Sequence, residues 1–184
     1  VNFDAAYDQY LEVAEELGLT VKGQVTDFVF YTSGIRFDGS TIKHRSLGGS
    51  ESALYYMARS LAARGFSVRV FNRCEIPGTY DGVEYAALVD YHIYKRFNKS
   101  RVLISSRSFT PLYNPADADQ LVLWLHDTPA VWQFEDESPE KIDWSRILIL
   151  TLSEWHTRAW MQALSLEKSN FFVTRNGYDP DTFA

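Results

Sequence analysis

The stretch Ser46 to Gly65 reads SLGGSESALYYMARSLAARG and sets the frame for the rest of the chain. It predicts a glycine turn running into an amphipathic helix. Gly48 and Gly49 lack a Cβ, so they are free to take unusual backbone angles and to approach a ligand closely. Ser50 suits the N-cap position and Glu51 the first helical turn. Leu54, Met57, Ala58 and Leu61 recur at helical spacing and predict one buried face. Gly65 stands where a left-handed C-cap is wanted. A helix N-terminus offers free N–H groups and a positive dipole end, which suits a phosphate. Taken alone, a capped helix after a tight turn is the commoner meaning of such a pattern.

The surrounding chain is ordinary globular material. Of 184 residues, 46% are hydrophobic and 23% charged, which excludes a disordered chain. The formal net charge of −6 argues against a broad nucleic-acid or anionic-membrane surface. A small anion needs only a local patch, and Arg36, Lys43, His44 and Arg45 lie just before Gly48. Cys74 is the only cysteine, so no intrachain disulfide forms, which favours a reducing, cytoplasmic setting. No apolar run is long enough for a transmembrane segment, and the acidic opening VNFDAAYDQY has no signal-peptide core.

Residues 1–22 read as a helical appendage, with Phe3, Tyr7, Tyr10, Leu11, Ala14 and Leu17 on one face. Residues 23–184 read as a single α/β domain. Short apolar runs are expected as strands at Phe28–Tyr31, Val68–Phe71, Val83–Leu88, Val102–Ile104, Leu121–Leu125, Ile147–Leu152 and Phe171–Thr174. Helices are expected around Tyr91–Phe97 and Glu154–Leu164, and Asp81-Gly82 marks a turn. Buried strands of this length alternating with helices predict a Rossmann-like, doubly wound, mostly parallel sheet. Ligands of such folds gather beyond the carboxyl ends of the strands. Three features fall there: the loop from Thr32 to Gly49, His126-Asp127 after LVLWL, and Ser153-Glu154 after ILILTL.

Several familiar signatures are missing or weak. The first loop has neither G-x-G-x-x-G nor a P-loop, which disfavours a dinucleotide dehydrogenase and a P-loop ATPase. Gly48-Gly49-Ser50-Glu51-Ser52 misses the nucleophile elbow at its final glycine. His126 and Asp127 would suit a metal-dependent phosphohydrolase only with further ligands, and His44, His92 and His156 show no such spacing. Asp117-Ala118-Asp119 follows Pro115 and reads as a turn rather than a metal-binding carboxylate pair, as does Tyr178-Asp179-Pro180-Asp181.

Four of these segments occur in a meaningful order. LGGSESALYYMARSLAARGFSVRVFNR, VLWLHDTP, LTLSEWHTRAW and RNGYDPDTF together resemble the N-terminal domain of retaining glycosyltransferases of family 4, which have the two-domain GT-B fold. The resemblance covers nearly everything after residue 25. It implies a hexosyltransferase that moves a sugar from a nucleotide-sugar donor to a saccharide, lipid or other hydroxyl acceptor, with no further cofactor and no metal. It also implies roles by position. Gly48, Gly49 and Ser50 would meet the donor diphosphate, with Arg45 in support. His126 would face the donor sugar at the reaction centre, and Asp127, Ser153 and Glu154 would share its rim.

One departure limits the reading. In that family a second, C-terminal Rossmann-like domain holds most of the nucleotide sugar through two glutamates eight residues apart, and no glutamate pair here has that spacing. The 184 residues are therefore expected to form the acceptor-side half and to be inactive alone, because positioning and charge stabilisation need both walls of the cleft. The competing expectation is a non-catalytic Rossmann-like module that binds an anionic ligand or a protein partner at the Gly48-Gly49 turn.

Overall fold

The strand VTDFVFYT, β1 (Val25–Thr32), lies near the centre of an eight-stranded sheet in the computed structural model, which describes residues 23–131 and 139–176. After β1 come α1 (Gly49–Ala63), β2 (Val68–Asn72), β3 (Gly78–Tyr80), β4 (Val83–Ala87) and α2 (Tyr91–Phe97). The second half adds β5 (Lys99–Ser106), α3 (Thr110–Tyr113), β6 (Asp117–Trp124), β7 (Ile147–Thr151), α4 (Glu154–Leu164) and β8 (Phe171–Val173). The spatial order is β3-β4-β2-β1-β5-β6-β7-β8. Every neighbouring pair is parallel except β3 with β4. The fold is the expected α/β, Rossmann-like, doubly wound sheet. The expected helical appendage of residues 1–22 and the turn at Tyr178–Asp181 lie outside the described residues.

Alternation along the central strands builds two cores. One face of the sheet carries Phe30, Val68, Val70, Tyr85, Ile104, Val122 and Trp124, packed with Leu54, Tyr55 and Ala58 of α1. The other carries Val29, Phe71, Leu103, Leu123 and Ile149, packed with Tyr91 and Tyr94 of α2, Leu112 of α3 and Trp160 of α4. Val29, Phe30, Leu103, Leu123 and Ile149 are 0% exposed. Burying side chains of this size stabilises the fold by about 1.5–3 kcal/mol each. The buried stripe of α1 runs through Glu51, Leu54, Tyr55 and Ala58, while Met57, expected inside, is 37% exposed. Tyr55 takes the position because its ring reaches the sheet one residue round from Leu54, turning Met57 outward.

Two local forecasts change. Asp117 and Asp119 are not in a turn; they open β6, paired in register with Lys99 and next to the β5 residues that follow it. Asp119 forms an exposed ion pair with Lys99 at 2.7 Å, at the amino ends of the strands and so at the far end from the expected site. The antiparallel edge strand β3 was not expected. It is created by Asp81 and Gly82, whose φ values of 49° and 79° make a two-residue hairpin turn of the primed kind. Gly65, at φ 88°, does supply the left-handed residue that ends α1.

The long loop from Thr32 to Gly48 is pinned by buried groups. Phe37 is 0% exposed, and its carbonyl accepts a hydrogen bond from Asn72 Nδ2 at 2.8 Å. Asp38 is 1% exposed and accepts from Ser40 N and Oγ, Thr41 Oγ1 and Ile76 N. Burial pushes its carboxyl up, but these hydrogen bonds outweigh that and hold it below the usual carboxylate range. Asp38 therefore joins the loop after β1 to the loop after β2. Asp38→Ala is expected to cost about 3 kcal/mol of stability in urea unfolding at neutral pH, because it strands several donors at once. Because the unfolded chain protonates Asp38 first, the wild-type advantage is lost as pH falls below the ordinary value of 3.8. The gap between the two stability curves should narrow there.

Candidate functional site

The chain leaves β1 through α1 to reach β2 on one side, and later returns to pair β5 on β1's other side. The carboxyl ends of β1 and β5 thus diverge into loops on opposite faces, which is where open α/β sheets form their crevice. Gly48 and α1 follow the first strand, and Arg107 follows the second. His126-Asp127 and Ser153-Glu154 follow β6 and β7 on the same rim.

The turn before α1 differs from expectation in detail. Gly48, not Ser50, is the N-cap, and its φ of −64° is open to any residue. Neither Gly48 nor Gly49 has a positive φ. What Gly48 requires is space. A Cβ there would lie 2.5 Å from Glu51 Oε2, and a Cβ on Gly34 would lie 2.5 Å from Glu51 Oε1. The two glycines thus form a slot for the Glu51 carboxylate, which is 3% exposed. Gly49 has open space around it. No side chain caps the helix, and the first intrahelical bond runs from Ser52 N to Gly48 O. The N–H groups of Gly49 and Ser50, in the first turn of α1, consequently have no backbone partner among the described residues.

Arg107 spans the crevice. Its Nη1 donates to Ser50 Oγ at 3.1 Å and to Glu51 Oε1 at 3.3 Å, and its Nε donates to Asp127 Oδ2 at 2.6 Å. Ser50 Oγ in turn donates to Glu51 Oε2 at 2.9 Å. Arg107 sits at φ 56°, and its own N–H donates to Trp124 O at 3.1 Å, which turns the chain sharply at the end of β5. Sequence reading missed it. The available signal was a basic residue directly after a strand, but its importance depends on β5 lying beside β1, and strand order is not written in a single sequence.

Asp127 is held from behind by α4. His156 Nδ1 accepts from Leu152 N at 3.2 Å, so its Nε2 carries the proton and donates to Asp127 O at 2.7 Å. Trp160 Nε1 donates to the same carbonyl at 2.8 Å. This fixes the backbone on which His126 is mounted. The His126 ring lies 4.6 Å from that of Trp124, and both its nitrogens are buried with no hydrogen-bond partner among the described residues. Burial, reinforced by Arg107, lowers its pKa from 6.5 to about 4 against the opposing pull of Asp127 and Glu51. At neutral pH the ring is uncharged, one nitrogen a donor and the other an acceptor.

The remaining predicted residues are less central. Ser153 caps α4, its Oγ accepting from His156 N at 3.1 Å. Glu154 is exposed and pairs with Lys168 Nζ at 3.4 Å. Arg45 pairs with Glu75 at 2.9 Å and donates to the Arg36 carbonyl, rather than joining the group around Arg107. An open, polar hollow of about 370 Å³ at the amino ends of β6 and β7, lined by Asp119, Gln120 and Arg146, is at the opposite pole of the sheet. Among the described residues no group of three or more His, Cys, Asp or Glu side chains could hold a metal ion, and no helix is long and apolar enough to cross a membrane.

No family model, curated protein or solved structure matches the chain. The rim itself offers two kinds of chemistry: an uncapped helix end suited to an anion, and an uncharged imidazole suited to a neutral hydrogen-bonding group. The lowered His126 pKa has a direct consequence for stability. Between pH 6.5 and about 4 the unfolded chain binds a proton that the folded ring refuses, so stability falls with pH across that window. His126→Asn is expected to remove about 3 kcal/mol of that fall, measured by urea unfolding at the two ends of the window.

Proposed function

We propose that the domain is the acceptor-side half of a retaining, nucleotide-sugar-dependent glycosyltransferase. The observation that carries this reading is the pairing, at the switch point of the sheet, of the uncapped α1 terminus with the uncharged His126 ring, both tied to Arg107 or its partner Asp127. A sugar diphosphate has the matching halves, an anionic diphosphate and a neutral, hydroxyl-bearing ring. The order of the LGGSE, WLHD and TLSEW segments supports the same reading by resemblance.

In this mechanism the N–H groups of Gly49 and Ser50 hold the diphosphate and share its growing charge as the sugar departs. Arg107 offsets the Glu51 carboxylate, so the helix end keeps its positive character. His126 hydrogen-bonds the donor sugar and orients it, without acting as a base. Asp127 steadies Arg107, and Ser153 and His156 fix the loop that carries His126. A second domain supplies the other wall, which is why the 184 residues alone are expected to transfer little sugar.

Two measurements test this. Titrating the 184-residue chain with uridine or guanosine diphosphate should shift the amide resonances of Gly49, Ser50 and Glu51 in a saturable way. In the longest product of the reading frame, His126→Ala should lower sugar transfer from a panel of nucleotide sugars by on the order of a hundredfold. Unmoved amides with every nucleoside diphosphate would contradict the phosphate site. Transfer untouched by His126→Ala would remove His126 from the reaction centre. Binding without transfer in the longest product would favour a non-catalytic module.

A further inference from the structure

Trp124 ends β6 and is 3% exposed, packed on the α1 face of the sheet with Phe30, Leu54 and Val122. Its indole Nε1 is buried without a hydrogen-bond partner among the described residues. The His126 ring rests against it at a centroid distance of 4.6 Å and a tilt of 45°, with both of its nitrogens equally unpartnered. Three unpaired buried nitrogens are thus carried on two adjoining rings. Folded proteins pair nearly all such groups, so their concentration at the mouth of the sheet calls for a function.

The donor and acceptor balance defines what this place recognises. Indole Nε1 only donates, and a neutral imidazole offers one donor and one acceptor. The matching group must accept and also donate. A hydroxyl does both, whereas a phosphate oxygen only accepts. An anion belongs at the α1 terminus, and an uncharged group belongs at the ring pair.

We propose that Trp124 is a specificity residue whose indole N–H, together with the His126 ring, recognises an uncharged hydroxyl of the bound molecule. The proposal deepens the function given above and rests on it only for the identity of the molecule that carries the hydroxyl. Trp124 selects hydroxyl over hydrogen or a bulkier ether at that position, since a ligand without the group leaves the indole N–H stranded.

Nitrogen-15 labelling of the 184-residue chain tests this directly. The Trp124 indole resonance is assigned by its absence in Trp124→Phe. Methyl α-glucoside serves as the neutral probe and inorganic pyrophosphate as the anionic one. The glucoside should shift the Trp124 indole resonance saturably while leaving the other indoles in place. Pyrophosphate should move the Gly49 and Ser50 amides and leave the Trp124 indole unmoved. Trp124→Phe, which keeps the ring packing, should weaken glucoside binding about three- to tenfold as read at the His126 ring. The proposal is overturned by an unmoved Trp124 indole with the glucoside, by equal shifts at all indoles, by a pyrophosphate shift at Trp124, or by unchanged affinity in Trp124→Phe. The wild-type titration decides even where the variant folds poorly. Failure of the phosphate site shows separately, as pyrophosphate that leaves the Gly49 and Ser50 amides unmoved while the glucoside response persists.

Discussion

The guanidinium of Arg107 is the contact on which the arrangement of the mouth depends. It leaves the end of β5 and reaches the first turn of α1 through Ser50 and Glu51, and the loop after β6 through Asp127. A doubly wound sheet naturally separates these elements, because the connections from β1 and β5 turn to opposite faces. One two-pronged cation draws them back together. Glu51 is 3% exposed while the Arg107 side chain is 33% exposed, so the pair straddles the boundary between core and solvent. A pair so placed costs little desolvation on one side and loses much if the partner is removed, since Glu51 would remain a buried carboxylate without a cation.

Around that contact the rim divides its labour. The helix α4 is closed by Ser153 and spends its first two turns on structure, with His156 and Trp160 donating to the Asp127 carbonyl. The helix α1 is left open because its N-cap is a glycine with no side chain to spend. Gly34 and Gly48 give up their side chains to make room for the Glu51 carboxylate. One helix end therefore supports and the other is available. His126, mounted between them and uncharged at neutral pH, brings hydrogen-bonding capacity without charge.

Much of this was legible in the sequence. The apolar run ILILT gave β7 to within a residue, and Gly65 marked the end of α1, because hydrophobic period and the φ freedom of glycine are local properties; β1, β5 and β6 begin three or four residues before their expected strands, where polar residues join the ladder. The placement of His126, Ser153 and the Gly48 turn on one rim followed from strand direction in a parallel sheet. Other features depended on three-dimensional neighbours. Ser50 looked like a cap, yet its hydroxyl is taken by Glu51 and Arg107. Arg45 looked like the basic partner of the turn, yet Glu75 claims it. Arg107 and Trp124 went unremarked because their significance lies in which strands adjoin and which nitrogens burial leaves unpaired. The pair Asp117 and Asp119 was misjudged for the same reason, since pairing with β5 draws a Pro-flanked acidic segment into a strand.

A double-substitution cycle on Glu51 and Arg107 tests the central claim that this one contact holds the two sides of the crevice together. Unfolding free energies are measured for the wild type, Glu51→Gln, Arg107→Met and the double variant. A working bridge between α1 and β5 predicts a coupling of about 1–3 kcal/mol, the double variant losing less than the sum of the single losses. Additive losses, equal within about 0.5 kcal/mol, would show that α1 and β5 keep their places without Arg107 and would contradict the account.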